Sequence, residues 1–137
     1  MTTTAILGLG ASGQAAARLA LKHGDDVYVS DLKADAPARA RGAELEGLGT
    51  RVELGRHDLA WIARADTVVV SPGIPPDAPV LAELRRRGRP WVSEPEFAFR
   101  FFHGPLIAVT GTNGKTTVTL LIAHLLSEAG LRVGVGG

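Results

Sequence analysis

Two glycine-rich stretches hold the residues of this chain whose types and spacing could do chemistry: Thr110 to Thr117, TGTNGKTT, and Gly8 to Gly13, GLGASG. In the first, closely spaced glycines let backbone N–H groups crowd around phosphate oxygens, and a helix start behind them adds its positive dipole end. Lys115 would reach the β- and γ-phosphates of a bound nucleotide, and the Thr116 hydroxyl would ligate the accompanying Mg²⁺. Gly111, Thr112, Asn113, Gly114 and Thr117 complete the loop. The general pattern G-x-x-x-x-G-K-[ST] would place its first glycine where Val109 stands, and Gly111 is the glycine supplied instead. A plain Gly-Lys-Thr surface turn is the competing reading. The context weighs against it, because the apolar strand Leu106 to Val109 precedes the loop and an amphipathic helix follows.

The second stretch is G-x-G-x-x-G directly after an apolar strand, Thr4 to Leu7. Its glycines permit a tight turn, close approach of a diphosphate and close helix–strand packing. Val27 to Ser30 is the next strand, and it delivers Asp31 to its end, 31 − 13 = 18 residues past Gly13, where a carboxylate can accept a hydrogen bond from a ribose hydroxyl. Spacing alone suggests NAD or NADP, admits a sugar-nucleotide diphosphate or a ligand-free turn, and does not identify the base. After the strand Thr67 to Val70 comes Ser71-Pro72-Gly73-Ile74-Pro75-Pro76, a stiff turn at the carboxyl end of a strand, where open α/β sheets bind ligands. It reads equally well as a rigid connection.

The elements that must position these loops alternate. A helix is expected over Ser12 to His23, with Ser12 near its cap, Ala15 and Ala16 beside Leu19 and Ala20, and Gly24 as its stop. Arg51 to Leu54 and Thr67 to Val70 read as strands, the second nearly all β-branched and so buried on both faces. Pro79 to Arg87 reads as a helix that Asp77 could cap, followed by a short strand at Trp91-Val92. Ser93-Glu94-Pro95-Glu96 fits a capping box opening a helix through Phe102, and His103-Gly104-Pro105 forms a joint. This order implies an α/β fold: a Rossmann-like, mostly parallel sheet with helices on both faces over residues 1–103. Residues 104–137 then read as the first βαβ of a P-loop ATPase domain. Val118, Leu121, Ile122, Leu125, Leu126 and Ala129 make one apolar helical stripe, Gly130 stops it, and Leu131 to Val135 resumes as a strand. One βαβ unit cannot cover such a stripe. The chain is therefore expected to stop inside its second domain, with a weakly ordered tail and no activity of its own.

Composition excludes several classes. A net charge of +1 gives no long-range attraction to nucleic acid or an acidic membrane. The basic run Arg85-Arg86-Arg87 with Arg89 reads as a solvated helix end. There is no cysteine, hence no disulfide or thiolate metal site. No apolar run approaches the roughly 20 residues of a membrane span, so a soluble cytoplasmic protein is expected. His23, His57, His103 and His124 show no metal-ligand spacing and read as structural, and Trp61 and Trp91 read as packing residues.

Together the two loops resemble a known family. GTNGKTT at Gly111 to Thr117 is similar to the ATP loop of the Mur ligases and of the related folylpolyglutamate and cyanophycin synthetases, ATP-dependent enzymes that form amide bonds. GLGASG, Asp31 and the SPGI turn at Ser71 to Ile74 resemble the Mur branch that adds D-glutamate more than the one that adds L-alanine. The run Gly134 to Gly137 resembles the segment after that branch's ATP-loop helix. The resemblance spans nearly the whole chain. It implies that the first domain holds the UDP end of a sugar nucleotide rather than NAD: Gly10, Ala11 and Ser12 facing the diphosphate, Asp31, Leu32 and Lys33 near the uridine, and Ser71, Pro72 and Gly73 closing the far side. Leu32 offers no hydroxyl for that role. It further implies UDP-N-acetylmuramoyl-L-alanine and D-glutamate as substrates, ATP and Mg²⁺ as cofactors, an acyl phosphate intermediate, a role in peptidoglycan precursor synthesis, and a monomeric full-length enzyme. Another Mur-type ligase or an NAD(P)-binding module are the alternatives; a small P-loop kinase is disfavoured, since it would begin with its phosphate loop.

Overall fold

Ala5, Ile6 and Leu7 have no exposed surface, and their strand, β1 (Thr3–Leu7), is the middle of a parallel sheet ordered β3-β2-β1-β4-β5. The computed structural model describes residues 1–136. The chain forms two compact units, Met1–Phe102 and His103–Gly137. In the first, β2 (Asp26–Asp31) and β4 (Thr67–Val70) flank β1, with β3 (Arg51–Leu54) and β5 (Val92–Ser93) outside them. All four pairings are parallel; Leu7 lies opposite Ser30 on one side and Val70 on the other. Parallel strands need crossovers, and these are α1 (Ala11–Lys22), α2 (Ala36–Glu46), α3 (Leu59–Arg64) and α4 (Pro79–Arg86), with α5 (Glu94–Phe99) after β5.

Side chains alternate along each strand, so two cores form. Leu7, Tyr28, Val68 and Val70 pack with Trp61, Ile62 and Leu84. Ile6, Val29 and Val69 pack on the other face with Ala17, Leu45 and Phe97. The β-branched run Thr67–Val70 is thus buried on both faces, as its composition implies.

Local details depart from the sequence expectation. Gly10, not Ser12, is the N-cap of α1, and no side chain caps it. Ala15 is exposed and Ala17 takes the buried place assigned to it. Asp77 does not cap α4; Ala78 is its N-cap, and the cap makes no side-chain hydrogen bond. The Ser93–Glu96 capping box is present, but its helix ends at Phe99, short of Phe102. Two helices lie where the sequence reading expects none. One is α2, capped by Asp35, whose carboxylate accepts from Ala38 N at 2.8 Å. The other is α3, capped by Asp58, which accepts from Ala60 N and Trp61 N.

In the second unit α6 (Lys115–Glu128) forms, and none of its residues is buried. Leu106 to Val109 and Leu131 to Val135 are not strands. A strand exists by its ladder, and neither segment has a hydrogen-bonded strand partner among the described residues. Leu106, Ile107, Leu121, Leu125, Leu131 and Val135 are exposed accordingly. Gly137, which closes the glycine-rich run after α6, lies outside the described residues. No helix among them is long and apolar enough to cross a membrane.

Tyr28, fully buried, stacks on Trp61 at 4.8 Å between ring centroids. Its hydroxyl donates to Glu53 Oε2 at 2.6 Å and accepts from Asp58 N at 2.9 Å. Burial, helped by the Glu53 carboxylate, pushes the phenol up from 10 to about 12. The unfolded chain ionises first, so this residue's contribution to stability is full below pH 10 and is lost as pH climbs towards 12. Because the chain has one tyrosine, tyrosinate absorbance reports it alone. The expected native titration midpoint lies well above that of the denatured chain; coincident midpoints would refute the buried hydrogen bond.

Candidate functional site

The carboxyl end of β1 delivers the first glycine loop to the point where the strand order reverses, with β2 on one side and β4 on the other. In open α/β sheets that is where ligands sit. Gly8 N donates to Ser30 O at 2.8 Å, and Ser71 N donates to Leu7 O at 2.9 Å, so both neighbouring strands pin the loop's entry. Gly8 has φ +106°, and a Cβ there would lie 2.6 Å from the Ser71 Cβ. Only glycine satisfies both constraints, and its absence of a side chain brings the Ser71–Gly73 turn against the loop.

α1 starts without a side-chain cap. Its first turn bond runs from Gln14 N to Gly10 O, which leaves the amides of Ala11, Ser12 and Gly13 ahead of the helix ladder. Gly10, Ala11 and Ser12 are exposed, and nothing lies within 4 Å of where a Gly10 Cβ would be. An anion can approach this backbone directly.

Asp31 does more than wait for a ribose. Its Oδ2 accepts from Leu9 N at 2.7 Å and its Oδ1 from Lys33 N at 2.8 Å. It ties the glycine loop to the end of β2, and each oxygen keeps a second lone pair. Leu32 and Lys33 follow at the surface, Leu32 being 63% exposed. The structure therefore gathers Gly10 to Ser12, Asp31 to Lys33 and Ser71 to Gly73 around one strand end.

Three further residues support this site. Arg41 of α2 donates from Nε to Leu9 O at 3.0 Å. His57 Nδ1 lies 2.7 Å from Ser30 Oγ at the end of β2, and burial holds this ring below the usual histidine range against the opposing pull of Asp31 and Glu53. Glu94 is buried beneath the loop; its Oε1 has no hydrogen-bond partner and would stand 3.6 Å from a Cβ on Gly13. No local motif announces them, because each acts from 27 or more positions away in the chain.

In the second unit the phosphate-type loop also ends in an uncapped helix. Gly114 is the N-cap of α6, and Val118 N makes the first helical bond to Gly114 O at 2.9 Å, leaving the amides of Lys115, Thr116 and Thr117 ahead of the ladder. Lys115 Nζ folds back onto Gly111 O at 2.7 Å, which holds the ammonium over the loop. Residues 111–117 are all exposed. Among the described residues no group of three or more His, Cys, Asp or Glu could hold a metal ion. The Thr116 hydroxyl at the helix start nevertheless suits Mg²⁺ arriving with a nucleotide, since that ion takes few protein ligands and completes its shell with phosphate oxygens and water.

A Rossmann-like sheet followed by a glycine-rich loop and helix defines a class, and comparison with known proteins identifies it. Residues 2–93 match the Mur ligase MurD-like N-terminal domain and residues 109–137 the Mur ligase middle domain, so the chain belongs to the Mur ligase family. Its particular likeness is to proteins named UDP-N-acetylmuramoylalanine--D-glutamate ligase. The one from Bacteroides fragilis is 47% identical over all of this chain and 30% of its own length. That from Geobacter metallireducens is 46% identical over 96% of this chain and 29% of its own. The chain thus spans about 30% of the length of the curated relatives it matches. Among solved structures, UDP-N-acetylmuramate:L-alanyl-gamma-D-glutamyl-meso-diaminopimelate ligase from Neisseria meningitides aligns over 96% of this chain and 41% of its own, with TM-score 0.65 and 29% identity. UDP-N-acetylmuramate-alanine ligase from Thermotoga maritima aligns over 94% of this chain and 30% of its own, with TM-score 0.61 and 27% identity.

Proposed function

We propose that this chain is the UDP-substrate-binding domain and the ATP phosphate loop of a ligase that joins D-glutamate to UDP-N-acetylmuramoyl-L-alanine, a step of peptidoglycan precursor synthesis. The observation that carries the reading is the convergence of Gly10 to Ser12, Asp31 to Lys33 and Ser71 to Gly73 on the end of β1, in a chain whose relatives bear that enzyme name. The open amides of Ala11 and Ser12 hold the diphosphate, Asp31 and Lys33 border the uridine, and the Ser71–Gly73 turn closes the other side.

In the reaction, an oxygen of the substrate's alanine carboxylate bonds to the γ-phosphorus of ATP and ADP leaves. The amine nitrogen of D-glutamate then bonds to the acyl carbon, inorganic phosphate leaves, and the amine gives up a proton. Phosphoryl transfer depends on alignment and charge neutralisation. Gly111 to Gly114 and the amides at the start of α6 cradle the β- and γ-phosphates, Lys115 moves from Gly111 O onto them, and Thr116 offers its hydroxyl to the metal. Mg²⁺, when bound, neutralises charge on the transferring group.

Titration of the chain with UDP, UDP-N-acetylmuramoyl-L-alanine and NAD, followed by backbone amide shifts, tests the first domain. The sugar nucleotide is expected to bind tightest, with shifts at Gly10 to Ser12 and Asp31 to Lys33. Tighter binding of NAD, centred on Gly8 to Gly13, would reverse the assignment.

A further inference from the structure

The last two residues of β2 hold the glycine loop. Ser30 is fully buried, and its carbonyl oxygen accepts from Gly8 N at 2.8 Å. Asp31 Oδ2 accepts from Leu9 N at 2.7 Å. Two consecutive amides of the loop thus hang on two consecutive residues of one strand end. The segment leaving β3 supports that end from the side away from β1. Gly55 N donates to Asp31 O at 2.8 Å, and His57 Nδ1 lies 2.7 Å from Ser30 Oγ. The first of these is a main-chain tie. The second is made by a side chain that can change its charge near neutral pH.

The charge state of His57 decides what Ser30 can do. The Tyr28 hydroxyl, next along the same face of β2, is committed to Glu53 Oε2 and Asp58 N. A neutral His57 offers the Nδ1 lone pair to the Ser30 hydroxyl. A protonated ring has no lone pair there and must donate, which leaves a buried hydroxyl hydrogen without an acceptor. The charged groups facing the ring are Asp31 from β2 and Glu53 from β3. Its chain neighbours are engaged elsewhere, Arg56 with Glu53 and Asp58 with the amides that open α3. Asp31 is therefore the carboxylate that an imidazolium would draw away from Leu9 N. Burial holds the ring below the usual histidine range against the pull of both carboxylates, so it is neutral at pH 7.

We propose that His57 is a positioning residue for the sugar nucleotide: through Ser30, and only while uncharged, it sets the strand end from which Gly8, Leu9 and Asp31 take their places. This role rests on the UDP-substrate reading given above.

In a full-length ligase carrying this sequence, calorimetric affinity for UDP-N-acetylmuramoyl-L-alanine is followed from about pH 8 to about pH 5. The diphosphate diester and the alanine carboxylate of that ligand do not titrate in this range. Wild-type affinity is expected to be flat above pH 6.5, the ordinary histidine value, and to fall about tenfold below it, the scale of one buried group left unpaired. His57→Ala is expected to bind about tenfold more weakly at every pH, with the KM for ATP unchanged. His57→Asn, whose amide can meet Ser30 Oγ and does not titrate, is expected to restore most of the affinity and to remove the pH dependence. Because His57 acts through Ser30, the losses in Ser30→Ala and His57→Ala should not add: the double variant should bind no more weakly than His57→Ala. The same pH dependence in His57→Asn as in wild type, additive losses in the double variant, or unchanged binding by His57→Ala would each overturn the proposal. A wild-type enzyme that does not bind the sugar nucleotide even at the upper end of the range would overturn the UDP-substrate reading itself, and this proposal with it.

Discussion

Gly13→Ala is expected to be the most damaging single-methyl change in the first unit. A Cβ on Gly13 would lie 2.1 Å from the Gly8 carbonyl oxygen and 3.1 Å from its carbon. Both are backbone atoms, and Gly8 is itself pinned by Ser30 O and crowded by Ser71. The clash cannot be relieved by a side-chain rotation. Either α1 lifts from the sheet, separating Ala16, Ala17 and Ala20 from their core, or the loop is rebuilt. Overpacking of an ordinary core site costs about 1–3 kcal/mol, and a contact this short against pinned backbone belongs at or above the upper figure. Denaturant unfolding of Met1–Phe102 should show a clear drop in midpoint, with loss of UDP-substrate binding. An alanine variant with an unaltered midpoint would mean that the helix and loop are not held as described. Gly10→Ala is the control: the space around its Cβ is open, so little change in stability is expected.

Lys115→Ala, in a full-length ligase carrying this sequence, is expected to lower turnover about a hundredfold or more while UDP-substrate affinity stays nearly unchanged. A group that meets charge developing on a transferring phosphoryl contributes roughly 3–4 kcal/mol, and about 2.7 kcal/mol already corresponds to a hundredfold. The structure adds a reason why arginine should not replace it. Lys115 Nζ reaches Gly111 O within its own loop, a compact point contact that a wider guanidinium fork would not reproduce. Single-turnover ATP consumption separates the effect from substrate binding, and a Lys115→Ala enzyme that keeps most of its rate would remove this residue from the phosphoryl-transfer machinery.

Elements carried by large or β-branched residues were legible in the sequence. Arg51–Leu54 and Thr67–Val70 are strands at the expected bounds, because such side chains fit a pleated sheet wherever a partner strand lies. α2 was hidden for the opposite reason. Its buried positions are Ala38, Gly42 and Leu45, and two nearly bare residues make helical spacing without making a visible apolar stripe. Its true signal was Asp35 followed by Pro37, a cap and an early proline. The reverse error came at Leu106–Val109 and Leu131–Val135, whose apolar runs are plain but whose ladder partners are missing from the described residues.

At the site, the residues near their loop in sequence were found and those distant from it were not. Gly8 to Gly13 sits in a motif, and Asp31 at a known offset from it. Arg41, His57 and Glu94 arrive from α2, from the segment after β3 and from α5, and only the folded sheet brings them to the strand end. Even Asp31 was half read: the spacing suggested a ribose acceptor, and the geometry shows a brace between Leu9 N and Lys33 N.

The position of β1 has a consequence for how the protein is made. β1, the centre of the finished sheet, precedes both of its neighbours in the chain, and β2 comes next. Its other neighbour, β4, begins 67 − 31 = 36 residues after β2 ends, a delay of roughly 2–7 s at about 5–20 residues per second. During that interval Ala5, Ile6 and Leu7 present an unpaired, wholly apolar ladder edge, the feature that recruits foreign strands. Asp66 ends the interval: its carboxylate accepts from both Thr3 N and Thr3 Oγ at 2.8 and 2.9 Å, and so catches the start of β1 one residue before β4 begins to zip along it. Substitutions that weaken this catch, such as Asp66→Ala, should lower the yield of nascent chains that reach the native sheet more than they lower the stability of the chains that do.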